Sequence, residues 1–289
     1  MKEIVKEKIA SLLSGDEEIQ SVEQLGGMTN QNYLVQTSSN RYIVKFFGKG
    51  TEKLIDRQNE KFNLELLKDL KLDVENYLFD IEAGIKVNQY IENAETLDSN
   101  TIKTKFEKIA PILQTIHASG KELKGEFAPF EEIKKYESLI QGEISYPNYE
   151  DVRKSVLSLK NELEKIGVDK KSCHIDLVPE NFIEGPDGHL YLIDWEYSSM
   201  NDPMWDLAAL FLESEFTSAE EEDFLSHYES DKTPVSRDKI RIYKILQDII
   251  WSLWTIYKEE NGADFGDYGI SRYNRAVKEL QSQGGIDED

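Results

Sequence analysis

A single cysteine, Cys173, stands in a chain of 289 residues, so no disulfide can close within it. One thiol in a chain of this length fits a reducing compartment, and a cytoplasmic setting is expected. Positive charge is also scarce. Lys and Arg number 34 against 56 Asp and Glu, which leaves a formal net charge of −22. A surface of that sign repels phosphate backbones and anionic headgroups, which excludes ordinary nucleic-acid binding and speaks against a basic membrane-surface anchor. It favours cationic ligands only mildly, because salt screens the long-range field. No apolar run approaches the roughly 18 residues of a membrane span. The opening MKEIVKEKIASLLSGDEE lacks the apolar centre of a signal peptide, so no membrane insertion is expected. Internal repeats, low-complexity tracts and basic runs are missing as well. What remains is a chain with four Trp, 14 Tyr, 12 Phe and 39% hydrophobic residues, enough to build one large or two modest cores.

The chemistry concentrates in CHIDLVPENFIEGPDGHLYLIDWEYSSMNDPMWD, residues 173–206. Pro186-Asp187-Gly188 is a tight-turn signal between two short apolar runs, Phe182–Glu184 and Leu190–Ile193, which read as a hairpin. Folding back at that turn lets Asn181 and Asp194 converge at one end, with Asp176 in the loop just before. Two oxygen donors for a magnesium ion and a further carboxylate suit phosphoryl transfer, in which metal bridges the phosphates and a base orients the attacking hydroxyl. By itself His174-x-Asp176-x4-Asn181 is a weak pattern; joined to Asp194 and to a lysine strand far upstream it becomes specific.

That strand is Tyr42–Phe47. Lys45 interrupts an otherwise apolar run, so its charge needs a partner or a ligand. Val22–Leu25 and Asn32–Gln36 read as its antiparallel neighbours. The connection between these two holds Gly26, Gly27, Met28, Thr29 and Asn30; paired glycines allow backbone N–H groups close to phosphates, and Thr29 and Asn30 add donors. An ordinary hairpin turn is the plain alternative. A helix over about 55–70 places Glu60 at the edge of its apolar face, where it can pair with Lys45. Tyr77–Glu82 and Gly84–Tyr90 form another hairpin, and the backbone of Gln89, Tyr90 and Ile91 is a candidate for binding adenine by position alone.

Beyond a polar link, 93–100, the pattern is mostly helical. Ile102 to Ile116 forms a first helix with Pro111 as a kink, followed by Pro129–Ile140 and Tyr149–Ile166. Thr217 and Glu220 make a capping box. The helix over about 236–259 carries one narrow polar stripe, Arg241, Lys244, Asp248, Ser252, Thr255 and Lys258, on an otherwise apolar surface. Trp251 and Trp254 flank that stripe; core packing and the wall of a wet cavity are both open to them.

With these residues placed, the chain resembles the choline/ethanolamine kinase and aminoglycoside phosphotransferase superfamily, and within it the bacterial Lic-type choline kinases. The resemblance runs over essentially the whole chain. It is most specific in CHIDLVPENFIE, YLIDWEYSSMNDPMWDLA and DIIWSLWTIY, with weaker support from LGGMTNQNYLV, YIVKFF and VNQYIE. It implies an α+β, two-lobed protein-kinase-like fold: a small N-terminal nucleotide-binding lobe with an antiparallel sheet, residues 1–92, and a larger, mainly helical lobe for catalysis and substrate binding, residues 93–289. It further implies ATP and Mg²⁺ as cofactors, Asp176 as catalytic base, Asn181 and Asp194 as metal ligands, Lys45 with Glu60 as phosphate clamp, and choline held by Tyr197, Trp205, Trp251 and Trp254. Trp195 and Glu196 stand where protein kinases carry Phe-Gly, which leaves Glu196 as a secondary metal contact or a structural acid. No Ala-Pro-Glu motif follows, so a peptide substrate is not expected. A quaternary ammonium has no N–H to donate and is held by aromatic faces, which suits the tryptophans. A kinase for ethanolamine or another small amino alcohol, an aminoglycoside phosphotransferase-like enzyme, and a non-catalytic choline-binding module are the alternatives.

Overall fold

The computed structural model describes residues 2–9, 12–13, 17–27, 30–48 and 50–282. In chain order the helices and strands are α1 (Lys2–Ile9), β1 (Ile19–Gln24), β2 (Gln31–Thr37), β3 (Arg41–Phe46), α2 (Arg57–Leu67), β4 (Asn76–Asp80), β5 (Ile85–Gln89) and β6 (Glu95–Thr96). They continue with α3 (Phe106–His117), α4 (Pro129–Leu139), α5 (Tyr149–Ile166), β7 (Lys171–Cys173), β8 (Phe182–Glu184), β9 (Leu190–Leu192), β10 (Ser199–Asn201), α6 (Pro203–Glu213), α7 (Ser218–Tyr228), α8 (Arg237–Glu260) and α9 (Tyr268–Gln281). None of these helices is long and apolar enough to cross a membrane.

The chain forms two compact units. The first takes residues 1–98 together with 179–197, and the second takes 99–178 and 198–289. The first unit is built on an antiparallel sheet ordered β1-β2-β3-β5-β4. Alternation along β3 puts Tyr42 and Val44 into a core with Val5, Ile9, Tyr33, Val35, Ile85 and Val87, and turns Lys45 to the opposite face. The hairpin β8–β9 belongs to this unit. It pairs with β6 through Glu95 opposite Glu184, inside the stretch read as a plain link. Ile4, Val5, Ile9, Leu12 and Leu13 recur at helical spacing toward Gly15 in the sequence; α1 carries the first three, and residues 10, 11 and 14–16 lie outside the described residues.

The second unit is organised around α8, whose 24 residues are buried over most of their length. The expected polar stripe does not face water at its centre: Asp248, Ser252 and Thr255 are buried. The reason is α9, a helix the sequence reading did not recognise. Arg272 and Arg275 of α9 pair with Asp248, while Gly269 lies against Thr255 so closely that a Cβ there would meet the Thr255 side chain at 2.9 Å. Ser252 and Thr255 turn their hydroxyls back to the carbonyls of Ile249 and Trp251, both at 2.8 Å. α3 runs through Pro111 without ending, and α7 starts at the Thr217–Glu220 capping box.

Candidate active site

In the first unit, a tight turn at 185–188 returns the hairpin, and the Ile193 N–H donates to the Asn181 carbonyl at 2.8 Å. Asn181 therefore sits directly beside the residue preceding Asp194, the convergence that the turn signal predicts. Asp194 holds a left-handed backbone, φ +67°, a conformation that aspartate tolerates better than bulky residues do. Its Oδ1 accepts from Lys45 Nζ at 2.6 Å. Burial works against the lysine charge, but Asp194, with Glu196 and Glu60 behind it, holds the Lys45 pKa above its ordinary value. Asp194 and Asn181 supply oxygen donors of the hard type that Mg²⁺ prefers, so the residues present fit that ion.

The expected Lys45–Glu60 pair is not formed. Glu60 is buried and paired to Lys86 Nζ at 3.0 Å and to Arg57 at 2.6 Å. Strand register explains the exchange: Lys45 and Lys86 face each other across β3 and β5, and Lys86 is the one that Glu60 takes. Burial acts to raise the Glu60 pKa, yet Lys86 and Arg57 outweigh it and hold the carboxyl below its usual value. Arg57 also reaches Glu196 at 2.9 Å and the Asn30 side-chain oxygen at 2.9 Å, while Asn30 Nδ2 donates to Glu196 at 2.7 Å. Glu196 is thus an acid of this buried ring, raised by burial and by the neighbouring Asp194 despite Lys45 and Arg57. The Asn30 amide, expected as a phosphate donor, is committed to the same ring.

Gly26 and Gly27 lie in the β1–β2 connection. A Cβ on Gly27 would fall 2.4 Å from the Asn30 carbonyl oxygen, so only glycine fits. Thr29 lies outside the described residues. Among the adenine candidates, Gln89 spends its N–H on the Glu75 carbonyl at 2.8 Å, and the Ile91 carbonyl accepts from Ala94 at 3.3 Å.

In the second unit, Asp176 lies in the loop after β7. The residue before it, Ile175, is held at φ +77°, a costly conformation for a β-branched side chain. Asp206 of α6 provides the restraint. Its two carboxylate oxygens accept from the backbone N–H groups of His174 and Ile175, each at 2.8 Å. Trp205 Nε1 donates to the Ile175 carbonyl at 3.0 Å. Asp206 is in turn fixed by His117 at 3.0 Å, whose other ring nitrogen meets the Tyr228 hydroxyl at 2.7 Å. Both ring nitrogens of His117 are spent on these structural contacts. The buried trio His117, Cys173 and Asp206 could be read as metal ligands, but the His117 and Asp206 donor atoms are already used by these hydrogen bonds.

Of the four aromatic candidates, Trp205, Trp251 and Trp254 lie in the second unit. Trp205 is fully buried, packed between Phe127 at 4.8 Å and Tyr243 at 5.8 Å, and so underlies the loop that carries Asp176. Phe127 continues the row to Trp251 at 6.5 Å, Trp251 meets Trp254 edge-on at 6.5 Å, and Trp254 reaches Phe265 at 5.0 Å. The Trp254 indole N–H is buried with no hydrogen-bond partner among the described residues. Tyr268 extends the row beyond Phe265, and burial followed by the Asp176 charge raises its hydroxyl pKa. Tyr197 belongs to the first unit and is half-buried.

Sequence reading missed Arg57, Lys86 and Asp206. Lys86 carried the same signal as Lys45, a lysine between apolar strand neighbours in Ile85-Lys86-Val87. Asp206 offered none, because what it binds is backbone.

A five-stranded antiparallel sheet with a buried strand lysine, a mainly helical second unit, and a His-x-Asp-x4-Asn sequence whose His174 and Asp176 lie in the second unit and whose Asn181 lies in the first define a protein-kinase-like phosphotransferase. More narrowly, the choline/ethanolamine kinase family model matches residues 22–277, and the chain belongs to that family. It is similar to the solved choline kinase LicA from Streptococcus pneumoniae: 77% identity, 98% of this chain and 99% of that one, TM-score 0.95. A structure of LicA in complex with AMP is 78% identical over 97% of this chain and 98% of that one, with TM-score 0.92. Protein LicA of Haemophilus influenzae is 31% identical over 269 residues, 89% of this chain and 79% of that protein.

Proposed function

We propose that the protein transfers the terminal phosphoryl group of ATP to the hydroxyl of choline, giving phosphocholine for decoration of cell-surface glycans. The observation that carries this reading is the family match over residues 22–277, reinforced by the near-complete overlap with a choline kinase at 77% identity. Bound Mg²⁺ would offset phosphate charge as phosphoryl transfer proceeds. Asn181 and Asp194 are the residues to hold it. Asp176 orients the choline hydroxyl and accepts its proton. Lys45, now on Asp194, is the group to meet the nucleotide phosphates, under a loop formed by Gly26, Gly27, Thr29 and Asn30. Glu60 supports that site from helix α2. Adenine binding falls to the backbone near Tyr90 and Ile91, since the Gln89 N–H is occupied. In functional terms, residues 1–92 serve nucleotide binding, and 93–289 serve catalysis and choline. Tyr197, Trp251 and Trp254 supply aromatic faces for the trimethylammonium group, with Trp205 as their support. The expected setting is the cytoplasm, with no nucleic-acid partner.

The test is ADP release measured with choline, ethanolamine and an aminoglycoside in parallel. Choline is expected to be the best substrate, because an aromatic cage cannot replace the hydrogen bonds that a primary ammonium gives up on leaving water. Ethanolamine turning over as efficiently as choline would move the assignment to the family's other named substrate. ADP release with the aminoglycoside alone would refute it.

A further inference from the structure

The phosphate lysine of this site is set beside two buried acids, a partly exposed one and two other buried cations, all within the first unit. The acids are Glu60, Asp194 and Glu196; the cations are Lys45, Arg57 and Lys86. The observed pairing satisfies each acid. Asp194 has Lys45 at 2.6 Å, Glu196 has Arg57 at 2.9 Å, and Glu60 has Arg57 at 2.6 Å and Lys86 at 3.0 Å. A Lys45–Glu60 pair would give Glu60 a third cation and take from Asp194 the lysine that now serves it. That redistribution is unfavourable, since Glu60 already has two cations while Asp194 would give up a 2.6 Å ion pair.

We infer that Lys86 and Arg57 are positioning residues for the nucleotide site: together they neutralise Glu60, and by doing so leave Lys45 to Asp194 and the phosphates. This rests on the proposed role of Lys45 at ATP and deepens it. Three features carry it. Lys86 lies directly opposite Lys45 in the β3–β5 register, so the two ammonium groups share one face of the sheet and compete for the same acid. Lys86 is 1% exposed and lies 5.4 Å from the Phe79 ring centre; its ion-pair partner is Glu60 at 3.0 Å, and its charge also acts on Asp73. Arg57 is stacked on Phe47 at 4.1 Å and ties together the Asn30 loop, helix α2 and the segment following Asp194. The Asn30–Arg57–Glu196 ring therefore fixes the glycine connection to the same strut that keeps Glu60 occupied. Glu60 acts on the nucleotide through these two cations and not by gripping Lys45.

The decisive measurement is Mg-ADP affinity by titration calorimetry, with thermal melts to verify folding, in Lys86→Met and in Lys86→Met combined with Glu60→Gln. Removing Lys86 alone leaves Glu60 short of charge and draws Lys45 toward it; Mg-ADP affinity is expected to drop about tenfold, with the choline KM changing much less. Adding Glu60→Gln removes the competing acid and is expected to restore affinity to within about threefold of the parent. Lys86→Arg, which keeps the charge, should rescue most of the single-variant defect. A direct Lys45–Glu60 clamp predicts the reverse: the double variant would bind Mg-ADP more weakly than Lys86→Met, and that result overturns the proposal. If Lys86→Met does not fold while the double variant does, the pairing is demonstrated on stability. If neither folds, the Lys86→Arg chain decides, since parental Mg-ADP affinity there supports the role and a tenfold loss refutes it. A parent chain that binds no Mg-ADP would sink the underlying kinase reading instead.

Discussion

Asp176 owes its setting to residues that never take part in chemistry. The strained Ile175 before it is pinned by Asp206 below and Trp205 alongside. Replacing Asp176 with alanine should leave ATP affinity intact and reduce kcat by about 10²–10⁴, the range for a positioned general base; parental turnover would dismiss the role. Asp206→Asn is subtler. One of its two backbone acceptors becomes an N–H₂ group facing another donor, so about 1–3 kcal/mol of stability should go. The melting temperature of Asp206→Asn should fall accordingly, and kcat should fall with unchanged KM for ATP. At the aromatic row, Trp254→Ala and Trp251→Ala should each raise the choline KM about two- to thirtyfold, from a cation–π contribution of about 0.5–2 kcal/mol per face. Equal shifts for choline, ethanolamine and ATP would mark these indoles as plain core.

At the scale of elements, α8 and α9 pack so closely that Gly269 has no room for a side chain: a Cβ would come 2.6 Å from the Tyr146 hydroxyl and 2.9 Å from the Thr255 side chain. Gly269→Ala should cost about 1–3 kcal/mol in urea unfolding, the usual penalty of overpacking a tight contact; no loss would mean that the helices part easily. This contact also marks where sequence reading stopped. Elements with their own local code were legible: the hairpin with its Pro-Asp-Gly turn, the span of α5, the Thr217 capping box and the buried lysine of β3. α9 was not, because its Arg272 and Arg275 are neutralised by Asp248, a residue of the polar stripe on another helix. The ring around Glu60 was legible only by half. An inward Glu60 follows from helical periodicity, but which lysine it meets depends on strand register, and β3 and β5 each offered one. Asp206 was silent because a carboxylate serving backbone N–H groups leaves no pattern in side chains. Among the tryptophans, only packing shows that Trp205 is enclosed while the Trp254 N–H has no hydrogen-bond partner among the described residues.

For the whole molecule, acid is the natural stress. The folded-state pKa of Glu60 lies below its ordinary 4.5, chiefly because Lys86 and Arg57 overcome the effect of burial. Glu137 is lowered likewise, against burial, by Arg153 and Tyr149. Ionisation of both therefore favours the folded chain; the contribution is whole above pH 4.5 and disappears as pH falls through the lower folded-state values. The difference in unfolding free energy between the parent and Glu60→Gln should therefore shrink as pH is lowered from 5 to 3. A Glu60→Gln slope equal to the parent's would show that its carboxylate does not contribute. The division of the chain into units has its own consequence, in time. The first unit closes only with residues 179–197, so a nascent chain that has reached Asp98 holds Lys45 and Arg57 without Asp194 and Glu196. At roughly 10 residues per second, synthesis of the intervening 99–178 stretch takes about 8 s. During that interval Lys45 lacks its acid and Arg57 has Glu60 but not Glu196, and it is then that a ribosome-bound chain is most exposed to misfolding and to proteases.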